Sequence, residues 1–226
     1  MFGGLQRFSL IDYPKELSAV VFTIGCNFRC PYCHNPELVN NTAEKIEERD
    51  ILNFLEKRVG KLTAVSITGG EPTIHGERLI KFIEQVKDKG FKVKLDTNGS
   101  NPKLLNKLIS LNLIDYIAMD IKAPFEKYEK VVGAKCDIDR IKESISIILN
   151  FKNHEFRTTV VKDLLDESDI EKILKTIKTA KLYVIQNFKA SKTLNPAFAS
   201  AVGFSENSLS RLKETAEKYV KECIVR

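Results

Sequence analysis

The chain reads as an α/β protein, an open, partial TIM-like (β/α)6 barrel, and three observations predict this. Short β-type runs alternate with longer segments of helical period, the pattern of successive β-α units around a parallel sheet. Six such runs can be counted, too few for a closed eight-stranded barrel and too regular for a split domain. Motifs rich in Cys, Gly and Asp follow four of the runs, where a parallel fold presents its ligands. A doubly wound open sheet accounts for the same alternation, and pattern alone separates the two poorly.

In chain order the β-runs are AVVFT (19–23), AVSIT (64–68), KVKLDT (92–97), YIAMDI (116–121), FRTTVV (156–161) and LYVIQNF (182–188). Apolar residues at helical spacing lie between them: Ile51, Leu52 and Leu55, then Leu79, Ile80, Ile83 and Val86, then Leu104, Leu105 and Leu108. Ile141, Ile145, Ile148 and Leu149 follow, then Ile170, Ile173, Leu174 and Ile177, and Leu209, Leu212, Ala216 and Val220 mark a last helix. The predicted organisation is one domain over 1–226. It has an N-terminal lid or extension over 1–18, six β-α units over 19–188 and a C-terminal helix over 204–223.

Composition narrows the function. With 226 residues, 43% hydrophobic and 29% charged, the chain can bury a full core and looks like an ordinary soluble protein. Apolar runs such as AVVF and ISIIL fall far short of the roughly 20 residues that cross a bilayer, so no membrane partner is expected. The net charge of +6 arises from 36 basic and 30 acidic residues spread without blocks, which predicts a solvated surface and no nucleic-acid partner. Five irregularly spaced cysteines argue against a disulfide framework, and MFGGLQRFSLIDYP has neither region of a secretion signal. A reducing, cytoplasmic location is expected.

The chemistry concentrates in FTIGCNFRCPYCHNPE, residues 22–37, which carries Cys26, Cys30 and Cys33 with no fourth cysteine nearby. Thiolates on so short a loop converge at little cost in chain closure and can hold three irons of a 4Fe-4S cube, with the fourth iron open to a chelating ligand. Zinc held by the three cysteines and His34 is the competing reading, although His34 follows Cys33 directly and common zinc spacings separate that pair.

The Cys-x3-Cys-x2-Cys loop, with Tyr32 before its last cysteine and GGEP (69–72) after the next β-run, resembles the radical S-adenosylmethionine (SAM) enzymes over essentially the whole chain. That resemblance implies their partial six-unit barrel, with SAM's amino and carboxylate groups chelating the unique iron. Reductive cleavage then yields methionine and a 5'-deoxyadenosyl radical that abstracts a hydrogen atom. It places Gly69, Gly70 and Glu71 at the methionyl amino group, and Tyr32 and the backbone of His34 beside the adenine. The segments DTNG (96–99) and MDIK (119–122) are similar to those of activases like pyruvate formate-lyase activase. The similarity implies a monovalent cation at Asp96, Thr97, Met119 and Asp120, and contact of Lys122 with SAM. Two strand-end carboxylates need cations or donors on physical grounds as well.

GGLQRFSLIDYP running into AVVFTIGCNFRCPYCHNPEL resembles the branch called anaerobic ribonucleoside-triphosphate reductase activating protein. This implies a glycyl-radical enzyme as partner, anaerobic ribonucleotide reductase first among them, and ferredoxin or flavodoxin as electron donor. On that resemblance Leu5 through Pro14 would form a lid or substrate-side element before the first run, with an N-terminal packing strand as the alternative, and Lys15 and Ile24 depart from that branch's glycine and glutamine. The sixth run ends in QNFKAS without the histidine that pyruvate formate-lyase activase presents to SAM, which nominates Gln186 or Asn187. Arg157 points either toward the SAM carboxylate or substrate or into a peripheral ion pair. His75 and His154 are expected to be structural or surface residues, and Cys136 and Cys223 small packed hydrophobes. Competing functions are a radical SAM enzyme acting on a small molecule, as 7-carboxy-7-deazaguanine synthase does, and a non-catalytic metal-binding or electron-transfer module.

Overall fold

Alternating strand and helix propensities become alternating elements in the computed structural model, which describes residues 1–226. The first half comprises β1 (Phe2–Ser9), β2 (Ser18–Thr23), α1 (Pro36–Val39), α2 (Glu48–Glu56), β3 (Ala64–Gly69), α3 (Glu77–Asp88), β4 (Lys92–Thr97) and α4 (Pro102–Ser110). The second comprises β5 (Tyr116–Asp120), α5 (Tyr128–Val132), α6 (Ile138–Leu149), β6 (His154–Val160), α7 (Glu167–Thr176), β7 (Tyr183–Asn187), α8 (Glu206–Ala216) and β8 (Cys223–Val225). All six expected β-runs form strands, and the strand order is the chain order.

Two compact units are distinguishable: Met1–Asn27 with Glu37–Thr97 and Asn101–Ile117, and Phe28–Pro36 with Asn98–Ser100 and Ala118–Arg226. In the first, β2 pairs in parallel with β3 in the register Val20↔Ser66, and β3 with β4 as Ser66↔Lys94. Its helices bury the stripe that their periodicity marks: Ile51 and Leu55 in α2, and Leu79, Ile80, Phe82, Ile83 and Val86 in α3. In the second, β6, β7 and β8 form a parallel ladder with Phe156↔Tyr183 and Tyr183↔Cys223.

Two strands lie outside the six units. The 1–18 extension contains β1, antiparallel to β2 through Leu5↔Val21, so part of it is a packing strand. The C-terminal helix is shorter than the expected 204–223. It ends at Ala216, because the chain turns at 217–220 and Cys223–Val225 extends alongside β7. No helix is long and apolar enough to cross a membrane.

Helix α7 begins with a capping box: the Asp166 side chain accepts from the Asp169 amide at 3.0 Å, and the Asp169 carboxylate accepts from the Asp166 amide at 3.0 Å. Replacing Asp166 with Ala should lower unfolding stability by about 1 kcal/mol with an unchanged m-value in urea titration, the usual cost of losing such a cap.

Candidate functional site

Cys26 follows β2, and the backbone leading to it is held on several sides within the first unit. The Ile24 amide donates to the Met1 carbonyl at 2.8 Å and the Gly25 amide to the Leu38 carbonyl at 2.7 Å. The Gly25 carbonyl accepts from the Glu71 amide at 2.8 Å, and the Gly70 amide donates to the Thr23 carbonyl at 2.9 Å. This contact explains the Gly-Gly pair at the end of β3. Gly69 has φ +119°, and a Cβ there would lie 2.2 Å from the Thr23 nitrogen, while a Cβ on Gly70 would lie 1.9 Å from the Gly25 oxygen. The glycines thus let the end of one strand lie directly on the cysteine-bearing backbone.

Glu71 is 1% exposed, and its Oε1 accepts from the Thr73 amide at 3.0 Å, the Thr73 hydroxyl at 2.5 Å and the Thr97 hydroxyl at 2.7 Å. Glu71 and Thr97, from consecutive strand ends, are therefore brought together. His75, expected to be structural or at the surface, is structural: its Nε2–H donates to the Ile24 carbonyl at 2.9 Å, and burial pushes its pKa down. Asp96 forms an ion pair with the buried Lys94. The sequence reading missed Lys94. The signal available was its spacing, since two residues apart on a strand means the same face.

The remainder of the loop belongs to the second unit. A tight turn brings the Cys33 amide to the Cys30 carbonyl at 3.0 Å. The Arg29 amide donates to the Val132 carbonyl at 2.7 Å, and Gly133, at φ +62°, approaches the Arg29 carbonyl so closely that a Cβ would sit 2.5 Å from its oxygen. Two amides of a later segment hold the other side, Leu194 to the Cys33 carbonyl and Asn195 to the Pro31 carbonyl, each at 2.9 Å. Tyr32 packs edge-on against Phe188, with centroids 6.5 Å apart, and His34 stacks on the same ring at 5.1 Å. Tyr32 is buried, with its hydroxyl beside the Cys30 thiol. Burial pushes the Cys30 thiol pKa up, and the nearby Lys122 ammonium pulls against that shift.

Asp120 is clamped at both oxygens: Oδ1 accepts from Arg157 Nε at 2.8 Å and Oδ2 from Lys122 Nζ at 2.9 Å. Burial alone would raise its pKa, but Arg157 and Lys122 overcome this and hold the carboxyl well below the usual carboxylate range. Burial works equally against the Lys122 ammonium, and Asp120 keeps its pKa well above the usual lysine range. Arg157 thus pairs with Asp120, and also lies 3.8 Å from the buried Glu155 carboxylate. Met119 is fully buried, and its Cε fills the space over Gly99, 2.0 Å from where a Cβ would stand.

Of the two sixth-run candidates, Asn187 is committed to the later chain: its Nδ2 donates to the Phe204 carbonyl at 3.1 Å and its Oδ1 accepts from the Phe204 amide at 2.8 Å. Gln186 Oε1 receives the Thr159 hydroxyl at 3.5 Å and is the freer of the two. His154 is structural, its Nδ1 on the Phe151 carbonyl at 2.7 Å and its Nε2 accepting from the Lys181 amide at 3.2 Å. Cys223 is buried as expected, whereas Cys136 is only half-buried on the turn before α6. Burial there, with Glu129 and Asp137 nearby, pushes its thiol up to about 11.

Cys26 ends the braced approach from β2 in the first unit, Cys30 and Cys33 flank a tight turn in the second, and three free thiols on one stretch of chain with no fourth cysteine near it are the donor type that a 4Fe-4S cluster takes. Comparison with known proteins gives the same reading. A Methanocaldococcus jannaschii protein named as a glycyl-radical enzyme activating enzyme is 39% identical over 228 residues, covering 99% of this chain and 94% of its own length. The pyruvate formate-lyase-activating enzyme of Streptococcus mutans is 30% identical over 138 residues, 56% of this chain and 52% of that protein. Among solved structures, native anSMEcpe with bound AdoMet superposes with a TM-score of 0.60 at 13% identity, over 87% of this chain and 57% of that one, a likeness of fold. Residues 20–180 match the model of the radical SAM superfamily. The chain therefore belongs to the radical SAM superfamily, with its partial (β/α)6 barrel and its 4Fe-4S and SAM cofactors.

Proposed function

We propose that this protein is an activase that installs a glycyl radical on a partner enzyme, anaerobic ribonucleotide reductase being the partner that its N-terminal sequence favours. The observation that carries the cofactor half of the reading is the hydrogen bond from the Glu71 amide to the Gly25 carbonyl, which couples GGEP to the approach to Cys26. The full-length similarity to an activating enzyme supports the glycyl-radical half.

On this reading Cys26, Cys30 and Cys33 hold three irons. When bound, the cluster and SAM would supply one-electron reductive cleavage of the sulfonium C–S bond and hydrogen-atom abstraction from the target glycine. The chain's own residues bind, orient and exclude water. Gly69, Gly70 and Glu71 receive the methionyl amino group, and Glu71 keeps a fixed orientation because two threonine hydroxyls and an amide converge on its Oε1. Tyr32 and the His34 backbone would flank the adenine, the aromatic face and backbone polar groups suiting a purine edge. In the first unit Asp96 and Thr97, and in the second Asp120 and Lys122, would be the further SAM-binding residues. Ferredoxin or flavodoxin in the cytoplasm would serve as the electron donor.

Anaerobic incubation of the reconstituted protein with reductant, SAM and a glycyl-radical enzyme should yield 5'-deoxyadenosine and a glycyl doublet in electron paramagnetic resonance. Deoxyadenosine with no doublet across the cell's glycyl-radical enzymes would reject the activase reading and leave the enzyme class standing. Replacing Cys30 with Ala should abolish the intact cluster and SAM cleavage, whereas Cys136→Ala should retain both, as iron analysis and product chromatography would show.

A further inference from the structure

Lys94 is the one residue near the motifs whose presence the activase reading leaves unexplained. It lies on β4 with its side chain 2% exposed, opposite Ser66 in the β3–β4 register and two residues before Asp96. That spacing puts the ammonium and the Asp96 carboxylate on one face of the strand, where they form an ion pair. An ammonium so deeply buried is costly without a counter-ion, and so is a strand-end carboxylate, so each holds the other in place.

The resemblance noted above implies a monovalent cation at Asp96, Thr97, Met119 and Asp120, and the charges present do not fit one. In the first unit Asp96 is neutralised by Lys94. In the second, two carboxylates face two cations: Asp120 takes Arg157 on Oδ1 and Lys122 on Oδ2, and Glu155 lies 3.8 Å from Arg157. At each aspartate the negative charge is met by a cation of the chain, and the buried Glu71 carboxylate beside Thr97 takes the Thr73 amide and the Thr73 and Thr97 hydroxyls as donors. An entering ion would meet the Lys94 ammonium, a like charge, at the carboxylate meant to bind it.

We propose that Lys94 is a built-in counter-ion, its ammonium taking the place of the dissociable monovalent cation at Asp96, so that SAM binding in this protein does not depend on sodium or potassium. Lys94 is a positioning residue: it holds the Asp96 carboxylate and touches no reacting atom. The proposal rests on Asp96 belonging to the SAM site, and the test therefore includes an arm without SAM.

In that arm, thallium(I) is titrated into the reconstituted, SAM-free protein in tetramethylammonium buffer and followed by thallium-205 nuclear magnetic resonance. The native protein should show no saturable site, and Lys94→Met should gain one. In the second arm, SAM affinity is measured by anaerobic equilibrium dialysis. For the native protein it should change by less than about twofold on exchanging tetramethylammonium for potassium, the scale of ordinary screening. Lys94→Met should lose about tenfold or more in tetramethylammonium and recover in potassium, since removing one partner of a buried charge pair leaves the other unpaired. A saturable thallium site or a saturable potassium requirement in the native protein would overturn the proposal. So would a folded Lys94→Met that binds no thallium. Should that variant fail to fold, the native protein's titrations still decide. Loss of SAM binding altogether, with the thallium result as expected, would count against the SAM assignment and not against the counter-ion.

Discussion

The site depends on one close contact between backbones. A cysteine loop long enough to wrap a cluster is also long enough to wander, and the entropy of holding it must be offset by specific bonds. Here the end of β3 supplies them: Gly69 and Gly70 bring main chain against main chain, and the Gly70 and Glu71 amides donate to Thr23 and Gly25. Any side chain at Gly70 would collide with the Gly25 carbonyl, and the loop would have to retreat. His75 adds a third tie at Ile24 from the same segment, so GGEPTIH braces the entry to Cys26 as a unit. Within the second unit the same solution recurs with different parts, Gly133 allowing the close approach to Arg29 and the Leu194 and Asn195 amides closing over Pro31 and Cys33.

The second constraint is electrostatic. Buried charges are tolerated only in pairs with their hydrogen bonds filled. Asp120 meets this with two cations at its two oxygens, and Asp96 meets it with Lys94. Glu71 uses hydroxyl and amide donors from Thr73 and Thr97. These carboxylates are oriented before any ligand arrives, the preorganisation that makes polar binding inexpensive at the moment of association.

Much of this was legible in the sequence, and the parts that were not share physical reasons. The helices carry strong periodicity because one face of each is buried, the β-runs stand out as short apolar runs because consecutive residues are buried on both faces, and all of them form. β1 was legible only as an alternative, a packing strand, because FGGLQRFS has two glycines and an exposed Gln6-Arg7-Phe8 stretch, so neither composition nor alternation marks it. β8 is three residues long, below what any period can reveal, and exists because β7 offers an edge to pair with. In the site, motif residues were readable because their types are chemically unusual for strand ends. Lys94 was not, since a lysine in a strand looks like surface until its burial and partner are known, and His75 was legible only as structural or surface, its partner at Ile24 being set by the fold. The role of the glycine pair was half legible: close approach was expected, but the neighbour approached is the protein's own cysteine segment.

The division of labour between cofactors and chain follows from these constraints. The difficult bond cleavage belongs to the cluster and SAM, and nothing in the side chains rivals that reactivity. What the sequence must encode is position and charge. A loop held by backbone bonds keeps its geometry whichever thiol ligation state prevails, because amides and carbonyls do not titrate. A lysine that serves as counter-ion is likewise fixed in stoichiometry, whereas a dissociable ion would tie SAM affinity to the salt around the protein. Covalent attachment of the balancing charge thus extends to electrostatics what the glycine contacts do for geometry: the site is assembled from parts that cannot diffuse away.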